Sequence, residues 1–187
     1  AILAHTGLKN PAGAARPEGK SASPGGRPRY PRAAAQEGLD RQGITLTRAE
    51  GPWLRFFDAD TKQLTLSSRA PDGTQRFQAL HQVALLTQND LLEATLDLAR
   101  FQTGEARAIA KIGLANYFAG AALMPYRLLM AAAQETRHDL ERLADRFGAS
   151  IEQVAHRLST LQRPGAKGIP CFFVLVDQSG TSTKRHS

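Results

Sequence analysis

The chain has 187 residues, enough for one ordinary domain or two small ones, and enough hydrophobic residues for a buried core over most of that length. One cysteine, Cys171, excludes an intrachain disulfide and fits a reducing, cytoplasmic setting; no apolar run is long enough to span a bilayer, and no secretory signal is recognisable. The net charge of +7 invites a nucleic-acid reading, but residues 1–36 carry +5 of it (Lys9, Arg16, Lys20, Arg27, Arg29 and Arg32 against Glu18), leaving only +2 for the remainder.

Residues 1–36 are rich in Ala, Gly, Pro and Arg, with almost no bulky apolar side chain after Leu8. Such a segment buries too little surface to offset its ordering entropy, so it is expected to be disordered. It reads as a linker or as sequence foreign to the domain, with a nucleic-acid-binding arm as the alternative. The start at Ala1 rather than Met, and the end at Ser187 just after a strand and turn, read as the cut ends of a fragment.

Order is expected from about Gly43. Ile44 and Leu46 alternate with Thr45 and Thr47; Trp53, Leu54, Phe56 and Phe57 form a second apolar run; Asp58-Ala59-Asp60 makes a turn; Leu64 and Leu66 alternate in a third run. These predict a small antiparallel sheet with hairpin connections. Phe77, Leu80, Ala84, Leu85, Gln88 and Leu92 then recur at helical spacing. A second helix from about Glu105 shows the apolar face Ile109, Ile112, Ala115, Phe118, Ala119, Ala122 and Leu123, and Pro125 breaks it before a restart over 126–134. Two short helices are predicted over Asp139–Phe147 and Ile151–Leu161, with Gly148 closing the first and Ser150 capping the second. Pro164-Gly165 ends the helical block, Cys171 to Val176 is β-rich, and residues 177–180 read as its turn.

Three stretches, Arg76 to Leu86, Leu114 to Pro125, and Phe147 through His156 to Gly165, occur in an order that resembles the IrrE/ImmA peptidase-like domain. More closely they resemble the bacterial short-chain fatty-acyl regulators, which join an XRE-type helix-turn-helix head to an IrrE-like domain and a C-terminal acyl-sensing domain. The segment from Phe172 to Ser187 resembles the start of that sensing domain. The resemblance covers roughly residues 43–187; residues 1–36 match nothing in the family.

An active member of the wider family uses His-Glu-x-x-His on a helix. The two histidines, one turn apart, hold zinc, the Glu activates the bound water, and a Glu on the next long helix completes the ligand set. The matching window here is His81-Gln82-Val83-Ala84-Leu85, and the later Glu position is Leu114. An amide is no general base and leucine offers no lone pair, so the resemblance implies no catalytic residues, no metal and no cofactor, with His81 a vestigial ligand position. His81 reads as a hydrogen-bonded residue of a half-buried helix, or as lining a ligand pocket. Tyr117, Phe118, Met124 and Tyr126 are further pocket candidates, or core at helical spacing. Cys171 reads as an inert buried thiol.

Residues 138–158 read like a helix-turn-helix, with Glu152, Gln153, His156, Arg157 and Thr160 as its exposed readers if it met DNA. The hairpin is near neutral, which weakens that reading, because phosphate contacts supply most DNA affinity.

The expectation is an α+β protein: a small antiparallel sheet plus a helical body, a zincin-like remnant with a helix-turn-helix-like hairpin. The IrrE-like domain is placed at 43–165 and the start of an acyl-sensing domain at 166–187. The function implied is a cytoplasmic, non-enzymatic module of a transcriptional regulator, responding to short-chain acyl compounds such as a CoA thioester. It would meet DNA through a head absent from the chain and would form a homo-oligomer, with no membrane partner. The alternatives are an active zinc endopeptidase of the IrrE/ImmA kind and a non-DNA dimerisation or interaction module.

Overall fold

The computed structural model describes residues 30–176 and 182–186. Seven α-helices and five strands are found among them, in two compact units that divide between Leu123 and Met124. This division falls inside the single domain expected across 43–165.

The first unit opens with helix α1, Tyr30–Asp40. This corrects the reading of residues 1–36 as disordered for their last seven positions; residues 1–29 lie outside the described residues. Pro31 suits a first helical turn, and Leu39 is fully buried with Ala35, one turn earlier, at its side. One anchoring leucine and a close approach suffice where composition promised nothing. A Cβ on Gly38 would stand 3.0 Å from Cγ1 of Val83, so glycine lets α1 settle against the helix that carries Val83.

Strands β1 (Thr45–Ala49), β2 (Arg55–Asp58) and β3 (Gln63–Ser67) follow. The α+β expectation holds, but the sheet is mixed rather than antiparallel. Its order is β1-β3-β2, with β1 parallel to β3 and β2 antiparallel to it. The loop between β1 and β2 crosses the end of β3: Ser68 N donates to Ala49 O and Ser67 N to Leu54 O, so β2 lands on the far side. Apolar alternation records which residues share a face, not which strands are neighbours. The β2–β3 hairpin does turn at Asp58, whose carboxylate accepts from the backbone N–H groups of Asp60 and Thr61.

Leu64 and Leu66 turn one face of the sheet to helix α2, Asp72–Thr87. The apolar period read from Phe77 to Leu92 is two helices, because the chain breaks at Gln88 before α3, Asn89–Ala99. Helix α4, Gly104–Leu123, packs along α2, where Ala84, Ala115 and Phe118 form a core cluster. Burial on α4 begins at Ala115; Ile109 and Ile112, expected on its buried face, are exposed.

The second unit contains α5 (Tyr126–Glu135), α6 (Leu140–Phe147), α7 (Ile151–Ser159), β4 (Phe173–Val176) and β5 (Ser182–His186). Pro125 stands at the N-cap of α5, where a missing amide hydrogen costs nothing. Strands β4 and β5 pair antiparallel; the turn expected at 177–180 lies outside the described residues. Cys171, expected to be buried, is exposed.

Candidate functional site

His81 lies in the middle of α2 and is 3% exposed; Gln82 beside it is also buried. Arg55 reaches it from β2, on the same sheet face as Leu64 and Leu66. One guanidinium nitrogen, Nη1, donates to Oε1 of Gln78 at 3.2 Å and contacts Nδ1 of His81. Burial pulls the Arg55 pKa below its ordinary value, but a guanidinium remains a cation with no lone pair to offer. The other ring nitrogen of His81, Nε2, is the one buried side-chain polar atom among the described residues without a hydrogen-bond partner. Sequence reasoning missed Arg55 altogether, since nothing local links a β-strand arginine to a helix 26 residues away.

The rest of the expected ligand set offers nothing to a metal. Leu85 packs against the Ala84–Ala115–Phe118 cluster, and Leu114 stands half-buried on α4. Among the described residues no three His, Cys, Asp or Glu side chains come together as a metal site would require. The zinc centre that the family's peptidases use therefore does not fit these residues.

The pocket candidates divide. Tyr117 is half-buried on α4, while Phe118 is buried in the core cluster of the first unit. Met124, in the second unit, is wholly buried; its carbonyl accepts from Nε of Arg157 at 3.2 Å. Tyr126 is a fastener: its hydroxyl donates to Ala166 O at 2.7 Å and accepts from Arg163 N at 3.0 Å, and the Arg163 guanidinium lies over its ring. A shallow cleft in the first unit is lined by Leu46, Arg48, Leu66, Gln75 and Ala79 and does not include His81.

The α6–α7 hairpin forms as its local chemistry predicts. The Asp139 side chain accepts from Arg142 N, Gly148 closes α6 with a left-handed φ of 58°, and Ser150 and Gln153 form a reciprocal capping box at the start of α7. The expected readers are another matter. The Gln153 side chain is engaged in the cap through its Oε1, which accepts from Ser150 N at 2.9 Å. The His156 ring packs edge-on to Phe173, with centroids 6.2 Å apart. Arg157, expected to be exposed, is 3% exposed and donates to Met124 O and to Oγ1 of Thr160. Arg157 follows Val154 by three residues and precedes Leu158, so it lies on the apolar face; that spacing was the available signal.

A small sheet packed on one of two long paired helices, with a histidine buried in the middle of that helix, is the architecture of a peptidase-like domain. The family model described as the IrrE N-terminal-like domain matches residues 40–159, and the chain belongs to that family. Residues 160–187 match the model of the short-chain fatty acyl coenzyme A regulator, C-terminal, which bears out the expected kinship with the short-chain fatty-acyl regulators. The chain is 71% identical over 166 residues to a propionyl-CoA carboxylase regulator of Cereibacter sphaeroides, covering 89% of this chain and 36% of that protein. It is 46% identical over 133 residues to the HTH-type transcriptional regulator PrpR of Mycobacterium tuberculosis, covering 71% and 27%. A solved structure of a Mycobacterium tuberculosis transcriptional regulator superposes with a TM-score of 0.78 at 40% identity, over 84% of this chain and 49% of that one. The chain thus spans about a third of the length of these curated relatives. No helix among the described residues is long and apolar enough to cross a membrane.

Proposed function

We propose that this chain is the non-catalytic, peptidase-like module of a transcriptional regulator. The observation that carries the reading is the eroded donor set on α2 and α4: His81 with Gln82, Leu85 and Leu114 in the remaining positions. Hydrolysis by a zinc-bound water needs three protein ligands and a base, and these residues supply one ligand. A fold kept without its chemistry is kept for packing and recognition. The printed names of the relatives support the regulatory half of the proposal.

On this reading the DNA is met by a helix-turn-helix head outside these residues. The α6–α7 hairpin serves the domain's own architecture, because Gln153 and Arg157 are spent on a cap and on backbone contacts. The effector is a short-chain acyl compound carried as its CoA thioester, taken by the domain that residues 166–187 begin; residues 43–165 form the peptidase-like domain. The regulator works in the cytoplasm as a homo-oligomer.

The test is genetic. Deleting the coding region in frame should change transcript levels of the cell's propionyl-CoA carboxylase genes during growth on propionate. Unchanged transcripts would overturn the regulatory reading, and zinc-dependent proteolysis by the purified chain would overturn the non-catalytic one.

A further inference from the structure

We propose that the cleft bordered by α1, β1, β3 and α2 is a binding site for a small monocarboxylate with a short apolar tail, gripped by Arg48. The inference rests on the first unit alone and is independent of the regulatory and acyl-CoA readings above.

The parallel register pairs Leu46 with Leu64 and Arg48 with Leu66, so Arg48 stands on the sheet face whose leucines are buried towards α2. Apolar alternation from Ile44 through Leu46 would continue with a third apolar side chain; the sequence puts a cation there instead. A guanidinium beside a core needs acceptors for its N–H groups. One is supplied by the fold: Arg48 Nε donates to Oε1 of Gln75 at 2.8 Å. Gln75 is 8% exposed, and its Nε2 donates to Ala70 O at 2.8 Å, so the amide is anchored at its nitrogen and offers its oxygen to the arginine. This contact engages one edge of the guanidinium and leaves the other open. Among the described residues no acceptor meets Nη1 or Nη2 of Arg48. Two parallel N–H groups on an oriented guanidinium match the two oxygens of a carboxylate.

The apolar lining of the cleft, Ala35, Leu46, Leu66 and Ala79, decides what the rest of the ligand is. A phosphate or a dicarboxylate would set further charged oxygens against these side chains and strip their hydration without replacing it. A short alkyl tail is removed from water there at a gain. The cleft has a volume of about 60 Å³. At roughly 10–15 Å³ for each water-sized group, it holds about four to six of them, which is a carboxylate with a tail of about one to three carbons. The charged groups of the lining are Arg48 and Arg76 against Asp72, an excess of one positive charge that suits a monoanion. Arg76 is turned to its own helix, where its Nε donates to Asp72 O at 3.3 Å, which leaves the grip to Arg48.

The test is a titration of the full nitrogen-15-labelled chain with sodium propionate at neutral pH and constant ionic strength, followed by NMR. The amides of Arg48, Leu66, Gln75 and Ala79 should shift together and saturate, with a Kd of about 0.1–10 mM as befits so few ligand atoms. Propionamide has the same shape without the charge and should bind about tenfold more weakly or worse. Inorganic phosphate at matched concentration should give no saturable shift at these positions. Arg48→Met should abolish the response in a folded chain, and Arg48→Lys, which keeps the charge but loses the fork, should weaken it about tenfold. Were Arg48 only a tie between sheet and helix, the folded Arg48→Met chain would bind as the native chain does. That result, a shift that never saturates, or an equal response to propionamide or phosphate would overturn the proposal. None of these outcomes touches the transcript and proteolysis tests of the regulatory and non-catalytic readings.

Discussion

Helix α2 and the α6–α7 hairpin each carry a sequence that resembles a working part, and the two fail to match that promise in different ways. On α2 the window His81-Gln82-Val83-Ala84-Leu85 offers one imidazole, an amide and no second lone pair of ligand type, and Arg55 contacts that histidine. On the hairpin the residue types suited to base reading are present, but Gln153 closes a cap, His156 packs on Phe173 and Arg157 is buried. A residue list can thus reveal lost chemistry, because a missing lone pair is missing in any fold. It cannot reveal diverted chemistry, because the diversion lies in contacts.

The comparison is broken or sharpened by four experiments. The largest effect is expected from Leu39→Ala, which tests whether α1 belongs to the cover of α2. Emptying a fully buried leucine site should cost about 2–5 kcal/mol, read in chemical denaturation. A cost under about 0.5 kcal/mol would detach α1 from that unit.

Arg157→Met comes next. It removes charge-assisted hydrogen bonds to Met124 O and Thr160 Oγ1 and should destabilise the chain by about 2–3 kcal/mol. A residue presented to DNA would leave the denaturation midpoint where it was.

Ser150→Ala should cost about 1 kcal/mol, since it removes the N-cap acceptor of α7. Gln153→Ala should cost less, because the serine half of the box survives. Equal and negligible costs would show that the box contributes nothing and would return Gln153 to the list of free side chains.

The smallest effect concerns pH and belongs to the surface of the first unit. Hydrogen bonds from Lys111 and then Arg107 hold the Glu93 carboxyl below its ordinary value. A carboxyl depressed in the folded state contributes stability that is full above its unfolded value, about 4.3, and is lost as pH falls through the lower folded value. The stability gap between the native chain and Glu93→Gln should therefore narrow as pH falls from about 5 to about 3. A gap that widens on acidification would contradict the assignment.

What could be read from the sequence follows the range of the interactions. The limits of α6 and α7 were legible to within two residues because Asp139, Gly148 and Ser150 act on their immediate neighbours. The break at Gln88 was hidden by an apolar period that runs across it, and α1 by a composition that looks like linker. The parallel pairing of β1 with β3 depends on where a loop crosses, which alternation does not encode. For the site, the residue types at positions 82, 85 and 114 could be read directly, whereas the Arg55–His81 contact joins two elements with no shared pattern.

The closures of the hairpin have a consequence for how the second unit gains and loses structure. Asp139 with Arg142, Ala149 with Ala144, and Ser150 with Gln153 are bonds spanning three to five residues of chain. Such bonds cost little loop entropy and need no distant partner in order to form. Helices of eight and nine residues are nonetheless too short to persist alone in water. The hairpin is specified locally, and the burial of Leu143, Val154 and Leu158 supplies stability that its length cannot. In hydrogen exchange its amides should therefore open together with the unit's core, and the same turns should reappear as transient, rapidly interconverting structure in the denatured chain.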